Sequence, residues 1–244
     1  MKVENRVYIL DVNGLEDKGK FRDWYEKMPD FRKEKIDKMK PENSKRLSLG
    51  AGILFYEGLK ELGIDPESVE IRLGENEKPY LVGEGVFFNL SHSDNVAVAA
   101  FSDKEVGIDV EKIKTFNDGL IKYVFDESEI CAIKSNAEKN GNTDLVRYKI
   151  CLEDDNGKEE IDSNREIYNS LYTGLWTMKE SVMKYNGKGI SMNPKKIVID
   201  DGNAFYEGKR LENLHFTRFE YEDYHISVCS EYSDFCAEMI EKMI

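Results

Sequence analysis

Asp109 and Glu111 stand in the hexapeptide VGIDVE, residues 106–111, where they alternate with Val106, Ile108 and Val110. Alternation marks a strand, and residues two apart on a strand point to the same side. Two carboxylates held side by side raise one another's pKa, an arrangement that a hard divalent cation reverses. The alternative, from the hexapeptide alone, is the solvated polar face of an edge strand. Glu180 and Lys184 lie four apart in WTMKESVMK, residues 176–184. A helix puts them on one face, either as a surface ion pair contributing about 0.3–0.5 kcal/mol or, given the flanking Trp176, Val182 and Met183, as part of a half-buried site. Lys179, next door, points elsewhere.

A second group of residues suits an anion. His92 lies in FNLSHS, residues 88–93, where alternation puts it on one face with Leu90 and Asp94 and puts Asn89, Ser91 and Ser93 on the other. Ser91, His92 and Ser93 beside Lys78 offer several donors to a phosphate. The run FRKEKIDKMKPENSKR, residues 31–46, adds Arg32, Lys33, Lys35, Lys38, Lys40, Lys45 and Arg46. Such a run is either a solvated helix face or a polyphosphate anchor.

The elements that must position these groups repeat along the chain. Residues 42–64 space Leu47, Ile53, Leu54, Leu59 and Leu62 as on a helix and stop at Gly63; alternating EIRL follows, then FFNLSHS, an Asp94-Asn95 turn and VAVAAFS. LYTGLWTMKESVMKYNGKGI, residues 171–190, restarts the plan, with an Asn186-Gly187 stop, then IVID and a hairpin. Phe88–Ser102 lays on Phe216–Ser230 without a gap, Gly63-Ile64 falls on Gly189-Ile190, and strands over 7–12 and 106–111 open the two halves. The expectation is an α+β fold of two pseudo-symmetric halves, residues 1–104 and 105–244, each an antiparallel sheet on a long helix, with the site at their seam. Residues 137–165 break the symmetry and read as an inserted surface loop or small hairpin.

Composition sets outer limits. With 244 residues, 40% hydrophobic, the chain can bury a core. A net charge of −13 argues against general binding to nucleic acid or anionic membrane and requires any anionic ligand to find a local basic pocket. No signal-like segment opens the sequence and no run of about eighteen apolar residues occurs, so a cytoplasmic protein is expected. Cys131, Cys151, Cys229 and Cys236 form no C-x-x-C pair and are expected as reduced thiols rather than zinc ligands.

Taken together, five segments resemble the 4′-phosphopantetheinyl transferase superfamily in its larger, pseudo-dimeric, surfactin-synthetase-activating type. They are GENEKPYL (74–81), FNLSHS (88–93), VGIDVE (106–111), YVFDESE (123–129) and LWTMKESVMKYNGKGI (175–190). Each is weak alone; their order and spacing carry the resemblance, and the departure is the long stretch between Glu129 and Trp176. The resemblance implies transfer of 4′-phosphopantetheine from coenzyme A to a serine of an acyl or peptidyl carrier protein, with release of 3′,5′-ADP. It implies that Asp109, Glu111 and Glu180 hold Mg²⁺, that Lys184 meets the pyrophosphate, and that Asp109, Glu180 and Lys184 carry the chemistry, with Glu180 or a metal-bound water as base. Lys78 and His92, with Arg46 and one or two of Lys33 and Lys35, would grip the 3′-phosphate and adenosine end, and Ser91 is counted with the coenzyme A-binding residues. A monomer is expected, because a duplicated chain supplies its own seam. The competing readings are a catalytically silent relative that only binds coenzyme A or a carrier, and an unrelated metal-dependent phosphotransferase or hydrolase.

Overall fold

A computed structural model describes residues 3–74, 76, 78–140 and 162–244. In chain order the elements are β1 (Arg6–Asp11), α1 (Lys18–Glu26), α2 (Asp30–Asp37), α3 (Glu42–Glu61), β2 (Ile71–Leu73), β3 (Pro79–Leu81), β4 (Phe87–Ser93), β5 (Val96–Ser102) and β6 (Val106–Lys112). There follow α4 (Asp118–Val124), α5 (Glu127–Asn140), α6 (Asp162–Tyr185), β7 (Ile197–Asp200), β8 (Asn203–Tyr206), β9 (Lys209–Arg210), β10 (His215–Tyr221), β11 (Tyr224–Ser230) and β12 (Met239–Lys242).

The α+β class is as expected. Two main sheets form, of order β12-β1-β5-β4 and β10-β11-β6. The gapless overlay of the two hairpins is realised strand for strand, since each is a pair of seven-residue strands about a two-residue turn. Asp94 and Glu222 open those turns at φ 52° and 51°, the left-handed conformation that tight hairpins demand. Each hairpin takes one further antiparallel strand: β1 pairs with β5 as β6 pairs with β11. The two sheets thus share one order, except that β12 adds to β1 in parallel, a short half-exposed strand that the sequence pattern did not announce.

Four layers follow from which face of each strand is apolar. Tyr8, Leu10, Ala97, Ala99 and Phe101 pack under α3 with Leu49, Ile53, Leu54 and Leu59. The opposite faces of the two sheets meet in a second core of Val7, Ile9, Val98, Ile108, Val110, Ile226 and Val228. The far face of β11 and β6 carries α6, through Val182, Met183 and Cys229. β5, buried at every residue, lies between two cores, which is why its sequence is continuously apolar. Phe101, fully buried against Phe55, Phe88 and Tyr8, anchors the first core; truncation to Ala there costs about 3–5 kcal/mol.

Both long helices end on a glycine in the left-handed region. In α3 the amide of Gly63 (φ 76°) reaches the carbonyl of Lys60, and that of Ile64 reaches Leu59, closing a Schellman turn. In α6 the corresponding glycine is Gly187 (φ 64°), whose amide reaches Lys184. The sequence overlay of Gly63 on Gly189 is therefore two residues late, because the chain makes a further turn before β7. The expected surface insertion over 137–165 is corrected at its edges, where α5 runs to Asn140 and α6 starts at Asp162; residues 141–161 of that stretch lie outside the described residues. Among the described residues Cys131, Cys229 and Cys236 are free thiols, and no helix is long and apolar enough to cross a membrane.

Candidate active site at the seam between the sheets

β6 places Gly107, Asp109 and Glu111 toward α6. Gly107 permits the close approach: a Cβ there would lie 2.1 Å from the carbonyl oxygen of Ser181 and 2.4 Å from the amide nitrogen of Tyr185, distances no side chain tolerates. The helix is thereby pressed onto the strand, and Glu180 and Lys184 come down over the two acids of β6. Lys184 Nζ donates to Asp109 Oδ1 and to Ser91 Oγ, each at 2.6 Å.

Asp109 is 4% exposed. Burial raises its pKa first, Lys184 opposes, and the charge of Glu111 raises it further. Its Oδ2 is buried without a hydrogen-bond partner. Glu180 is pushed up to about 7, by burial first and then by the charges of Asp109 and Glu111. Glu111 accepts from Lys114 Nζ (2.8 Å) and Trp176 Nε1 (2.9 Å) at one oxygen and from Ser93 Oγ (3.1 Å) at the other. The expected sharing of a face by Asp109 and Glu111, and by Glu180 and Lys184, is what the structure has. Trp176 and Lys114 were not assigned to the site from the sequence; the signal was there for Trp176, four residues before Glu180 on the same helix face. Among the described residues no three His, Cys, Asp or Glu side chains are grouped so as to hold a metal ion; Lys184 bonds Asp109, and Lys114 and Trp176 bond Glu111.

β4 lies along the free edge of β6 and joins it through side chains. The amides of Ile108, Val110 and Lys112 donate to Asn89 Oδ1 (2.9 Å), Ser91 Oγ (3.4 Å) and Ser93 Oγ (3.3 Å). Asn89, Ser91 and Ser93 thus take one face, as expected, but that face is the seam. Ser91 is 6% exposed and its hydroxyl is committed to Asp109, Lys184 and Val110, so this structure does not present it as a phosphate donor.

His92, on the other face of β4, keeps much of its surface open, while its ring is recessed enough that burial, followed by the charges of Lys184, Lys35 and Arg32, lowers its pKa. α2 supplies two of those charges. Arg32 packs against Gly52 of α3, burial lowers its pKa, and no carboxylate partner for its guanidinium is found among the described residues. It belongs to the basic run but was not singled out in the sequence. Other members are placed differently. Arg46 is held by Glu16 (2.6 Å) and Asn43 (3.1 Å), and Lys33 by the carbonyl of Glu26 (2.9 Å). Lys78 is not grouped with His92: its ammonium is bonded to Glu105 and reaches the carbonyls of Val106 (3.3 Å) and Tyr185 (3.2 Å), tying its loop to the end of α6.

Lys179, fully buried, pairs with Glu129 at 2.5 Å and donates to the carbonyls of Val124 and Pro194. Glu129 also accepts from the amides of Asp126 (2.9 Å) and Ile199 (2.9 Å). The FDESE segment therefore latches α5 and β7 to the underside of the helix that carries Glu180.

The family model described as the 4′-phosphopantetheinyl transferase superfamily matches residues 105–229. The chain is similar to a 4′-phosphopantetheinyl transferase of Bacillus subtilis, 27% identical over 201 residues, which is 80% of this chain and 78% of that protein. It is also similar to the transferase gsp of Aneurinibacillus migulanus, 28% identical over 76% of this chain and 68% of that protein, and to Sfp of Bacillus subtilis strain 168, 25% identical over 80% and 77%.

Proposed function

The chain belongs to the 4′-phosphopantetheinyl transferase superfamily, and from that premise we propose that it converts an apo acyl or peptidyl carrier protein to its holo form at the seam between the two sheets. The carrier serine attacks the β-phosphate of coenzyme A, the P–O bond to the 3′,5′-ADP side breaks, and the serine proton passes to a base. The observation that carries the reading is the set of three electrostatically coupled acids, Asp109, Glu111 and Glu180, under Lys184. Glu180 is a candidate base for that proton, and its pKa of about 7 belongs to the metal-free site. Lys184, four residues on, offsets charge that develops on the pyrophosphate.

What supports a hard divalent cation here is that Asp109 Oδ2 is a buried acceptor with no donor and that the raised pKa values of Asp109 and Glu180 are relieved by positive charge. Mg²⁺ would be held by Asp109, Glu111 and Glu180 and would neutralise pyrophosphate charge. The 3′-phosphate falls to Arg32, Lys35 and His92; the support is that the charges of Lys35 and Arg32 act on the His92 ring, while Arg46, Lys33 and Lys78 are engaged by partners of their own. The division of labour follows the two halves, residues 1–104 anchoring coenzyme A and 105–244 supplying the acids. Both sheets of the seam come from one chain, which supports a monomer, and the free thiols agree with a reducing cytoplasm.

Incubating the protein with apo carrier protein, magnesium and coenzyme A should add the phosphopantetheine mass to the carrier. No mass gain on any carrier, with coenzyme A still bound, would leave the silent-relative reading in its place. His92→Ala should weaken coenzyme A about 10-fold, the scale of one charge-assisted hydrogen bond, and dephospho-coenzyme A far less; equal weakening would remove His92 from the 3′-phosphate.

A further inference from the structure

The side-chain joint between β4 and β6 does more than hold two sheets together. Ser91 Oγ is approached by two groups that can only donate, the ammonium of Lys184 (2.6 Å) and the amide of Val110 (3.4 Å). A hydroxyl has one proton and two lone pairs, so with both lone pairs taken its proton is directed to Asp109 Oδ1, at 2.9 Å. That oxygen also receives Lys184. One side of the Asp109 carboxylate is thereby saturated by Ser91 and Lys184, while Oδ2 is left buried and unpaired. The carboxylate has one open acceptor, and Ser91 decides which. Asn89 makes the same kind of joint, accepting from Ile108 at 2.9 Å, with no bond to an acid. The pair Asn89 and Ser91 therefore separates two roles that one strand combines, holding the seam and aiming the acid.

We propose that Ser91 is a positioning residue that acts through Asp109: its hydroxyl, locked between Val110, Lys184 and Asp109, fixes the carboxylate so that Oδ2 faces the divalent cation and pyrophosphate. The inference rests on the proposed function for the identity of that ligand, and replaces the sequence expectation that Ser91 itself binds phosphate. Hydrogen-bond partners behind a metal-binding carboxylate typically alter metal affinity or activity about 10- to 100-fold.

The test compares Ser91→Ala, Ser91→Cys, Ser91→Thr and Asn89→Ala. Binding of Mn²⁺ to each protein, with coenzyme A present, is read by the loss of free-ion paramagnetic resonance signal; thermal unfolding and carrier-labelling kinetics are measured beside it. Ser91→Ala should weaken Mn²⁺ and lower kcat by about 10-fold or more, while KM for the carrier stays within about threefold. Ser91→Thr, which keeps the hydroxyl, should restore most of both. Ser91→Cys keeps nearly the same volume with a weak donor and should behave like Ser91→Ala even if the alanine variant folds poorly. Asn89→Ala should lower the melting temperature and leave Mn²⁺ affinity unchanged. Equal loss of Mn²⁺ in Asn89→Ala and Ser91→Ala would reduce Ser91 to a structural joint. Weaker coenzyme A with unchanged Mn²⁺ affinity and kcat would return it to phosphate binding. Because Mn²⁺ binding is read without turnover, failure to label any carrier would sink the proposed function and leave this comparison standing.

Discussion

The unit formed by β1 and α3 and the unit formed by β6 and α6 have the same strand pairing, yet they bury opposite kinds of side chain. Where β1 turns Tyr8 and Leu10 toward α3, β6 turns Asp109 and Glu111 toward α6. Counting back from the glycines that close the helices, Lys60 and Lys184 occupy the same place, as do Tyr56 and Glu180. In the first unit, Tyr8 gives its hydroxyl to Glu61 at 2.8 Å, at the margin of an apolar core. In the second, a buried carboxylate oxygen has no partner and a neighbouring acid is driven to about 7. One scaffold thus carries a half that is arranged for stability and a half that accepts electrostatic strain, and strain of that kind collects where ligands bind.

The sharpest way to break the comparison is to exchange effects between the units. Asp109→Ala or Glu180→Ala should lower carrier labelling about 10³-fold while the protein melts no lower than the parent, since an unfavourable charge has been removed. Tyr8→Phe should do the reverse, costing about 1 kcal/mol of stability with no change in rate. Parent rates in the acid variants at saturating magnesium would show that the polar half is not where the chemistry lies.

A smaller effect sharpens it. Lys179 sits beside Glu180 but faces the other side of α6, so its loss should reduce stability and spare ligand binding. Lys179→Ala should cost about 3 kcal/mol, the low end for breaking a buried ion pair, because Glu129 keeps its two amide donors. Denaturant melts measure the first, and KM for coenzyme A the second; a KM rise of about tenfold would merge the latch with the active site.

The smallest is a pH signature. The folded-state pKa of Glu180, about 7, lies above its ordinary value of 4.5, so the folded protein holds more proton than the unfolded chain between those values and loses stability as pH rises through them. Glu180→Gln carries no such penalty. In metal-free buffer it should melt about 4 °C above the parent at pH 8 and within error of it at pH 4.5. An equal gain at both would point to packing rather than charge.

Much of this was legible in the sequence. The hairpins were, because strand alternation and the Asp94-Asn95 turn are local signals, and the pairing of Asp109 with Glu111 and of Glu180 with Lys184 follows from strand and helix periods alone. The destinations of Ser91, Lys78 and Lys179 were not. Period tells which residues share a face, and here it correctly grouped Asn89, Ser91 and Ser93, but not what lies opposite, which depends on β4 docking against a strand from the other half. Arg32 was hidden among similar cations, since only the packing of α2 on α3 distinguishes a recessed guanidinium from a solvated one. The parallel partner β12 escaped because four half-exposed residues carry no period long enough to read.

The edge of β6 bears on more than catalysis. An exposed strand edge offers its amides to any passing strand, in its own or another molecule, because a backbone ladder does not depend on side-chain identity. Here the amides of Ile108, Val110 and Lys112 are met by Asn89, Ser91 and Ser93, so the correct neighbour is specified by short polar side chains at alternate positions. In the folded protein these short polar side chains of β4 close the β6 edge to other strands.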